Sequence, residues 1–420
     1  MQAEAEEQPA QSAYTLNTRV AFVIALARRL HEFGTAAPRL EDAISKVSER
    51  LDLFCDVLST PTSIVLSFAE KSQGKQAVAQ ITQVIRLAPG EVNLRRLCAV
   101  DHIADRVIDG SLDLRAGYRM LRELDRPMSR RGRWLTVLAY GVSSASIASL
   151  LKTSWADIAV AALCGWLIGL IAYGAVGRPR LSASFEAVSA LLVTLIAIAV
   201  SAYVVPLALK PVVLASLIVL LPGMTLTTAV RELSSQHLVS GVARMAGAMA
   251  TLLKLTFGTV AAAQLCRVVG VVPSAEVLPA IPVWAEWLGL AAGACSFAVI
   301  FRSGRRDVTI VIGSIMLGYA LTRFGGARFG PEFGVFIAGL VVGALSNVYA
   351  TLMQRPGALI REPGIILLVP GSIGFKSLSF VFERDVLLGI DTAFSLVTIL
   401  VSLVAGLLFG DLLAPPRRSL

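Results

Sequence analysis

From about residue 130 onward the chain is a succession of apolar runs separated by short, arginine-rich loops. Each run is close to the roughly 20 residues that a helix, rising about 1.5 Å per residue, needs to cross the hydrocarbon core of a bilayer. The runs are continuously apolar rather than alternating, which predicts helices and not a barrel, because a bilayer leaves no water for unpaired backbone groups. Ten spans are expected, at 134–151, 155–177, 186–205, 207–230, 240–266, 283–301, 307–323, 331–351, 359–379 and 385–410. Composition agrees: 55% of the 420 residues are hydrophobic and 16% charged, a balance outside the range of soluble domains.

The acidic residues gather before this region. Residues 1–13 have the composition of a disordered acidic tail, without the basic and apolar segments of a cleaved signal peptide, so the first domain is expected to remain in the cytoplasm. Residues 14–128 read as an α+β domain. Val20, Val23, Ala27 and Leu30 recur at helical spacing before Gly34, and a second amphipathic helix carries Pro38 in its first turn and Leu40, Ile44, Val47 and Leu51 on one face. Two β-leaning stretches follow, Phe54 to Ala69 and Ala77 to Leu87, separated by a turn-like KSQGKQ. Two further helices, Val92 to Ile108 and Leu112 to Leu124, close the domain.

The net charge of +9 does not point to nucleic acid, since the arginines sit at the ends of apolar runs and form no aromatic-interleaved patch. They orient the helices instead. One side of the membrane gathers Arg126, Arg130, Arg131, Arg133, Arg178, Arg180, Arg231, Arg302, Arg305, Arg306, Arg355, Arg361, Arg417 and Arg418; the other has Lys152, Lys210, Arg267, Arg323, Arg328 and Arg384. The richer side carries both termini, which are therefore expected in the cytoplasm, with the protein multi-pass in the cell (inner) membrane. The five scattered cysteines form no CxxC and have no histidine at ligand spacing, so neither a metal site nor a disulfide framework is expected, and no cofactor or nucleotide motif is present.

The membrane part repeats in outline, as 129–270 and 271–420. Trp134-Leu135 echoes in Trp287-Leu288, Asp157 in Asp307, and Glu186 in Glu332. LPGMTL echoes in VPGSIG, with Gly223 and Gly371 each 18 residues before another glycine, Gly241 and Gly389. A unit of five helices must cross the bilayer in opposite senses in its two copies, giving an inverted repeat. Chance matches in apolar sequence are the alternative.

Pro222-Gly223 and Pro370-Gly371 are the sharpest local signals, because such a pair breaks a helix and freed backbone groups in a bilayer must line protein or a cavity. Paired breaks point to a transport site; a packing kink without a ligand is the alternative. Lys254, mid-span, is expected to face the bundle interior, holding a substrate carboxylate or pairing with Asp391, with Arg244 a further partner. Asp391 is a candidate proton relay if buried. Asn347 needs a hydrogen-bond partner, either another helix or a polar solute. Glu186 and Glu332 read as helix-start capping residues.

These stretches resemble the threonine/serine exporter family of bacterial and fungal membrane proteins. The resemblance rests on LHEFGTAAPRLEDAISKVSERL, TPTSIVLSF, RLCAVDHIADRVIDGSLDLRAGYRMLREL, LPGMTLTTAVRELSSQHLVSGVAR, FGVFIAGLVVGALSN and EPGIILLVPGSIGF. It implies a ten-helix exporter of small polar amino acids driven by protons, and singles out Gly34, Arg39 and Glu41 in the first domain. LDLFCDVL stands where relatives tend to carry a glycine-containing turn. A homo-oligomer is compatible with such a bundle. The rival expectation is a membrane-anchored hydrolase, or a receptor acting through the first domain, with Arg39, Glu41 and His102 as its polar candidates.

Overall fold

The computed structural model describes residues 14–71, 81–125, 127–274, 276 and 278–415; the predicted acidic tail, most of KSQGKQ, and Arg126, Arg417 and Arg418 lie outside them. The first domain opens with helices α1 (Leu16–Glu32) and α2 (Ala37–Arg50). Gly34 links them with φ +83°, a left-handed conformation that costs glycine nothing sterically. The stretch read as one β-leaning segment is two strands, β1 (Leu53–Thr60) and β2 (Ser63–Glu70), which fold back at Pro61-Thr62. Thr60 Oγ1 accepts the Ser63 amide there at 3.1 Å, and this local turn chemistry splits an otherwise continuous apolar run. β3 (Ile81–Arg86) completes an antiparallel β1-β2-β3 sheet. Ile64, Leu66 and Phe68 alternate inward on β2, where they meet the apolar faces of α1 and α2.

Helices α3 (Leu94–Ile108) and α4 (Leu114–Glu123) finish the domain and carry it onto the membrane part. The apolar core of α1–α4 and the sheet continues without interruption into Phe297, Phe301, Val311, Ile315, Ala358 and Leu359.

Twelve further helices follow: α5 (Arg130–Leu150), α6 (Trp155–Ala175), α7 (Pro179–Tyr203), α8 (Leu209–Ser216), α9 (Gly223–Ser234), α10 (Leu238–Val269), α11 (Val283–Ile300), α12 (Val308–Phe329), α13 (Pro331–Met353), α14 (Ala358–Ile365), α15 (Gly371–Phe382) and α16 (Val386–Leu413). Among the described residues, seven are long and apolar enough to cross a membrane: α6, α7, α10, α11, α12, α13 and α16. An eighth span is formed if α8 and Ile218–Ser234, bent by 53°, count as one. The chain is thus a polytopic helical membrane protein, and apolar side chains such as Leu163, Phe257, Leu345 and Phe394 face outward from these helices.

Close helix approach uses small residues, as packing in lipid requires. A Cβ on Gly258 of α10 would lie 2.3 Å from the Ala187 carbonyl of α7, and one on Gly406 of α16 would lie 2.3 Å from the Phe336 carbonyl of α13. α3 meets the end of α11 head to tail: the Leu94 and Arg95 amides donate to the Phe301 and Arg302 carbonyls at 3.0 and 3.2 Å. Orphan donors of one helix thereby satisfy orphan acceptors of another.

The landmarks of the expected repeat fare unequally. Trp134 and Trp287 each occupy the fifth position of their helix, α5 and α11. Glu186, expected at a helix start, lies two turns inside α7, because Pro179 starts that helix earlier; a capping role is excluded. Glu332 does stand in the first turn of α13.

Candidate functional site

Both proline-glycine pairs end one helical segment and start the next. Pro222 precedes α9 at φ −80°, ψ 39°, and Pro370 precedes α15 at φ −85°, ψ 35°. The two glycines abut: a Cβ on Gly371 would sit 2.9 Å from both the N and Cα atoms of Gly223. Two helix N-termini, each with partial positive charge, therefore meet inside the bundle. The amides of Met224, Thr225, Gly371 and Ser372 find no hydrogen-bond partner among the described residues, as expected of first-turn donors. Thr227, one turn into α9, is buried and its hydroxyl is likewise unpartnered there. The sequence reading passed over Thr227, whose place one turn after the break was the available signal.

The likeness of the two breaks continues along the chain. α9 and α15 are both twelve residues long. Gly241 would press a Cβ onto the Ala229 carbonyl and Leu233, and Gly389 onto the Ser377 carbonyl and Val381; each partner lies at the same offset from its break.

The end of α9 remote from the break is locked by a buried carboxylate. Glu232 is fully enclosed; both its oxygens accept from Arg244 Nε at 3.0 Å, and Oε2 also accepts from Ser240 Oγ at 2.7 Å. The Ala37 amide at the start of α2 donates to Oε1 at 3.0 Å, so this side chain caps a helix of the first domain. One turn along α2, Glu41 Oε1 accepts the Ser59 amide at 2.7 Å and Oε2 faces His237 Nε2 at 3.1 Å. Arg244, expected beside Lys254 and Asp391, belongs to this junction.

The second broken span carries a comparable lock. Arg361 is buried on α14; its Nη2 donates to Asn347 Oδ1 at 3.0 Å and Asp411 Oδ1 at 2.5 Å, and its Nε to Ser346 Oγ at 3.2 Å. Asn347 in turn donates from Nδ2 to Asp411 Oδ1 and the Ala414 carbonyl, both at 2.7 Å, so its amide is committed to other helices. Glu232, Arg361 and Asp411 were missed as site residues. A charge on the helical segment next to each interruption, in VRELSS and LIREPG, was the signal for the first two.

Lys254 and Asp391 do not meet. Lys254 is exposed and donates to the Ala183 carbonyl at 3.3 Å and Glu186 Oε2 at 3.4 Å on α7; helical period turns Leu252, Leu255 and Thr256 inward and Lys254 outward. Asp391 is also exposed and its carboxylate has no hydrogen bond or ion pair among the described residues, because α16 buries Gly389 and, farther along, Leu400 and Leu403.

Arg39 is enclosed by protein yet still reached by solvent, and burial, then the charges of Arg361 and Arg231, hold its guanidinium well below its ordinary pKa. Arginine keeps its proton in proteins, so the depression registers burial first and like charge second. His102 lies apart from Arg39 and Glu41, in a cavity of about 470 Å³ lined by Cys98, Asp101, Asp105, Arg306 and Arg355 among others. No group of metal-ligating side chains occurs among the described residues.

Residues 21–266 match a family model described as "Putative threonine/serine exporter", and residues 287–413 one described as "Threonine/Serine exporter, ThrE". Similar curated proteins include "Pheromone-regulated membrane protein 10" of Debaryomyces hansenii, 26% identical over 385 residues covering 86% of this chain and 36% of that protein. The protein of that name from Candida albicans (strain SC5314) is 26% identical over 378 residues, covering 86% of this chain and 33% of that protein. The one from Zygosaccharomyces rouxii is 23% identical over 363 residues, covering 85% and 37%. The chain spans about a third of the length of these relatives. No solved structure matches. With more than half of its length matched by the first of these models, the chain belongs to the threonine/serine exporter family of membrane proteins.

Proposed function

We propose that the chain is a secondary transporter that exports small polar amino acids of the threonine/serine kind, driven by the proton motive force. In this reading ten membrane helices form two inverted five-helix repeats, with α5 as the first span, α8–α9 as the fourth and α14–α15 as the ninth. Both termini and the first domain lie in the cytoplasm of a cell with the protein in its inner membrane. The observation that carries it is the meeting of the α9 and α15 N-termini at Gly223 and Gly371. Broken helices in matching halves, with N-termini directed at one point, form anionic-substrate sites in secondary transporters, and four unpartnered first-turn amides are suited to an amino acid's carboxylate. The matched offsets of Gly241 and Gly389 support the repeat. The orientation is supported by contacts of the first domain with His237, Glu232 and Arg302, which border loops read as the arginine-rich side.

The test is counterflow of labelled L-threonine and L-serine in proteoliposomes of the full chain under an imposed pH gradient. Gradient-dependent flux, reduced in Pro222→Ala and Pro370→Ala, is the expected result. Absence of flux for every amino acid tried, with the protein folded and inserted, would remove the transporter reading.

A further inference from the structure

Glu286 is the one buried carboxylate among the described residues with an oxygen that no donor reaches. The other enclosed acids of the membrane part are met on both oxygens: Asp157 by the Ser154 amide and hydroxyl and the Ala208 amide, Glu232 by Arg244, Ser240 and the Ala37 amide, and Asp307 by Arg355. Glu286 stands in the first turn of α11, 2% exposed, on a helix long and apolar enough to cross the membrane. Its Oε1 accepts from the Tyr319 hydroxyl at 2.9 Å and from Arg323 Nη1, one turn apart on α12, and Arg323 Nη1 also donates to the Tyr319 oxygen at 2.9 Å. Oε2 is left bare, where an unmet charged oxygen is costly. An ionisable side chain so placed inside a membrane marks a proton or ion path more often than a fold requirement.

The surroundings connect this acid to water on one side only. The Arg323 side chain is one-third exposed and lies over the Trp287 ring at 5.8 Å, so the guanidinium borders solvent while the carboxylate does not. Tyr319 and Arg323 are the titratable groups that α12 brings to Glu286. The other helix packed on α11 is α5, along Gly289 and Gly293; its titratable residue at that end is Lys152, which is exposed and makes no side-chain hydrogen bond or ion pair among the described residues. The matching place in the first half is Arg133, fourth residue of α5 as Glu286 is of α11. It lies over Tyr173 at 4.8 Å. Both halves thus pair the following tryptophan with a tyrosine, Trp134 with Tyr173 and Trp287 with Tyr319, and the second half alone sets an acid there.

We infer that Glu286 binds the driving proton, taken up on Oε2 from the outer face, with Arg323 as the partner released by that uptake. This rests on the exporter reading, to which it adds the proton carrier. In the orientation proposed above, this end of α11 and α12 faces away from the cytoplasm, the side from which a proton motive force delivers protons. A proton from outer water turns the carboxylate into a neutral acid that no longer holds the guanidinium by charge. Arg323 then turns to the water it already borders, and the tie between α11 and α12 is reduced to the Tyr319 hydroxyl. Once access has passed to the cytoplasmic side, the proton leaves Oε2 for cytoplasmic water and Arg323 re-forms the pair.

The experiment takes two readouts on the purified full chain. In proteoliposomes, L-threonine flux driven by a pH gradient is divided by L-threonine exchange without one. Glu286→Gln should lower that ratio about tenfold or more, because exchange needs no net proton movement, whereas loss of a merely structural clasp would lower both rates alike. In infrared difference spectra between alkaline and acidic buffer, wild type should gain the carbonyl band of a protonated carboxylic acid that Glu286→Gln lacks. Glu286 is overturned as the proton carrier if the ratio stays within about twofold of wild type, or if the variant keeps the whole band. Should Glu286→Gln not fold, Glu286→Gln combined with Arg323→Gln, which removes both charges, decides by the same comparison. A wild type that moves no threonine under either condition, with the band still lost in the variant, would defeat the transporter reading and leave the proton site standing. Gradient-driven flux with a band indifferent to the substitution would do the reverse.

Discussion

The two broken spans are alike where they break and unlike where they end. At Pro222 and Pro370 the backbone angles agree within a few degrees, and each following helix runs twelve residues. At the far end of α9, the buried Glu232 reaches out of the membrane part to cap α2. On α14, Arg361 is turned inward and closed off by Asn347 and Asp411 of α13 and α16. The break is a local property, fixed by a residue without an N–H and one without a Cβ. The anchor is a matter of what lies opposite. The first broken span is tied to the first domain through a buried charge, while the charge lock of the second closes within the membrane part, whose second half meets the first domain instead through apolar packing and the α3–α11 junction.

The sharpest way to break this comparison is at the anchors. Arg361→Met leaves Asp411 facing an apolar side chain, and losing one partner of a buried pair costs about 3–5 kcal/mol; thermal unfolding of the purified protein should show the largest loss of any variant here. Glu232→Gln should cost about 2 kcal/mol, since its charge-assisted bonds to Arg244 and Ser240 weaken. Unlike Arg361→Met, it should also loosen α2, read as faster amide exchange at Ala37. Equal exchange there in the two variants would show that the anchors are not distinct.

The breaks themselves should prove less interchangeable than their angles suggest. A Cβ at Gly371 meets the Gly223 backbone at 2.9 Å, whereas one at Gly223 meets the Val369 Cγ1 at 2.4 Å, a side chain that can rotate, and the Gly371 amide only at 3.1 Å. Gly371→Ala should therefore cost about 1–3 kcal/mol and Gly223→Ala less, measured by the same unfolding assay. The reverse order would mean that the backbone of the first span at Gly223 yields more readily than the Val369 side chain of the second.

The smallest effect concerns pH. His31, at the end of α1, is held below its ordinary pKa by burial, and the nearby charge of Arg244 adds to the depression. The unfolded chain therefore binds a proton that the folded one refuses. The resulting stability is fully present above about pH 6.5 and is lost as pH falls below that value, by at most about 1.4 kcal/mol per pH unit. Wild type should melt at a lower temperature at pH 5.5 than at pH 8, and His31→Gln should flatten that dependence while leaving the Arg361 anchor unaffected.

Much of this architecture was legible along the chain. Runs of apolar residues, arginines at their ends, and the paired proline-glycine interruptions are all local patterns, and among the described residues seven of the ten predicted runs, or eight with the bent pair, coincide with helical spans long and apolar enough to cross a membrane. The charged residues were not legible in the same way. Lys254 and Asp391 look alike in sequence, each alone in apolar surroundings, yet helical period turns both outward. Glu232 and Arg361 look like ordinary boundary charges and are among the most buried polar groups. The turn at Pro61-Thr62 was hidden because both flanking strands are apolar, with no glycine between them.

What the sequence alone determined is therefore what short-range physics controls: where hydrophobic length permits a span, and where proline and glycine forbid a continuous helix. What the tertiary structure decided is which charges find one another. Glu232 meets the Ala37 amide across 195 residues of chain, and no pattern within either segment encodes the other. A carboxylate far from water is tolerated only where donors converge on it, and that convergence exists only once the first domain has packed against the membrane helices.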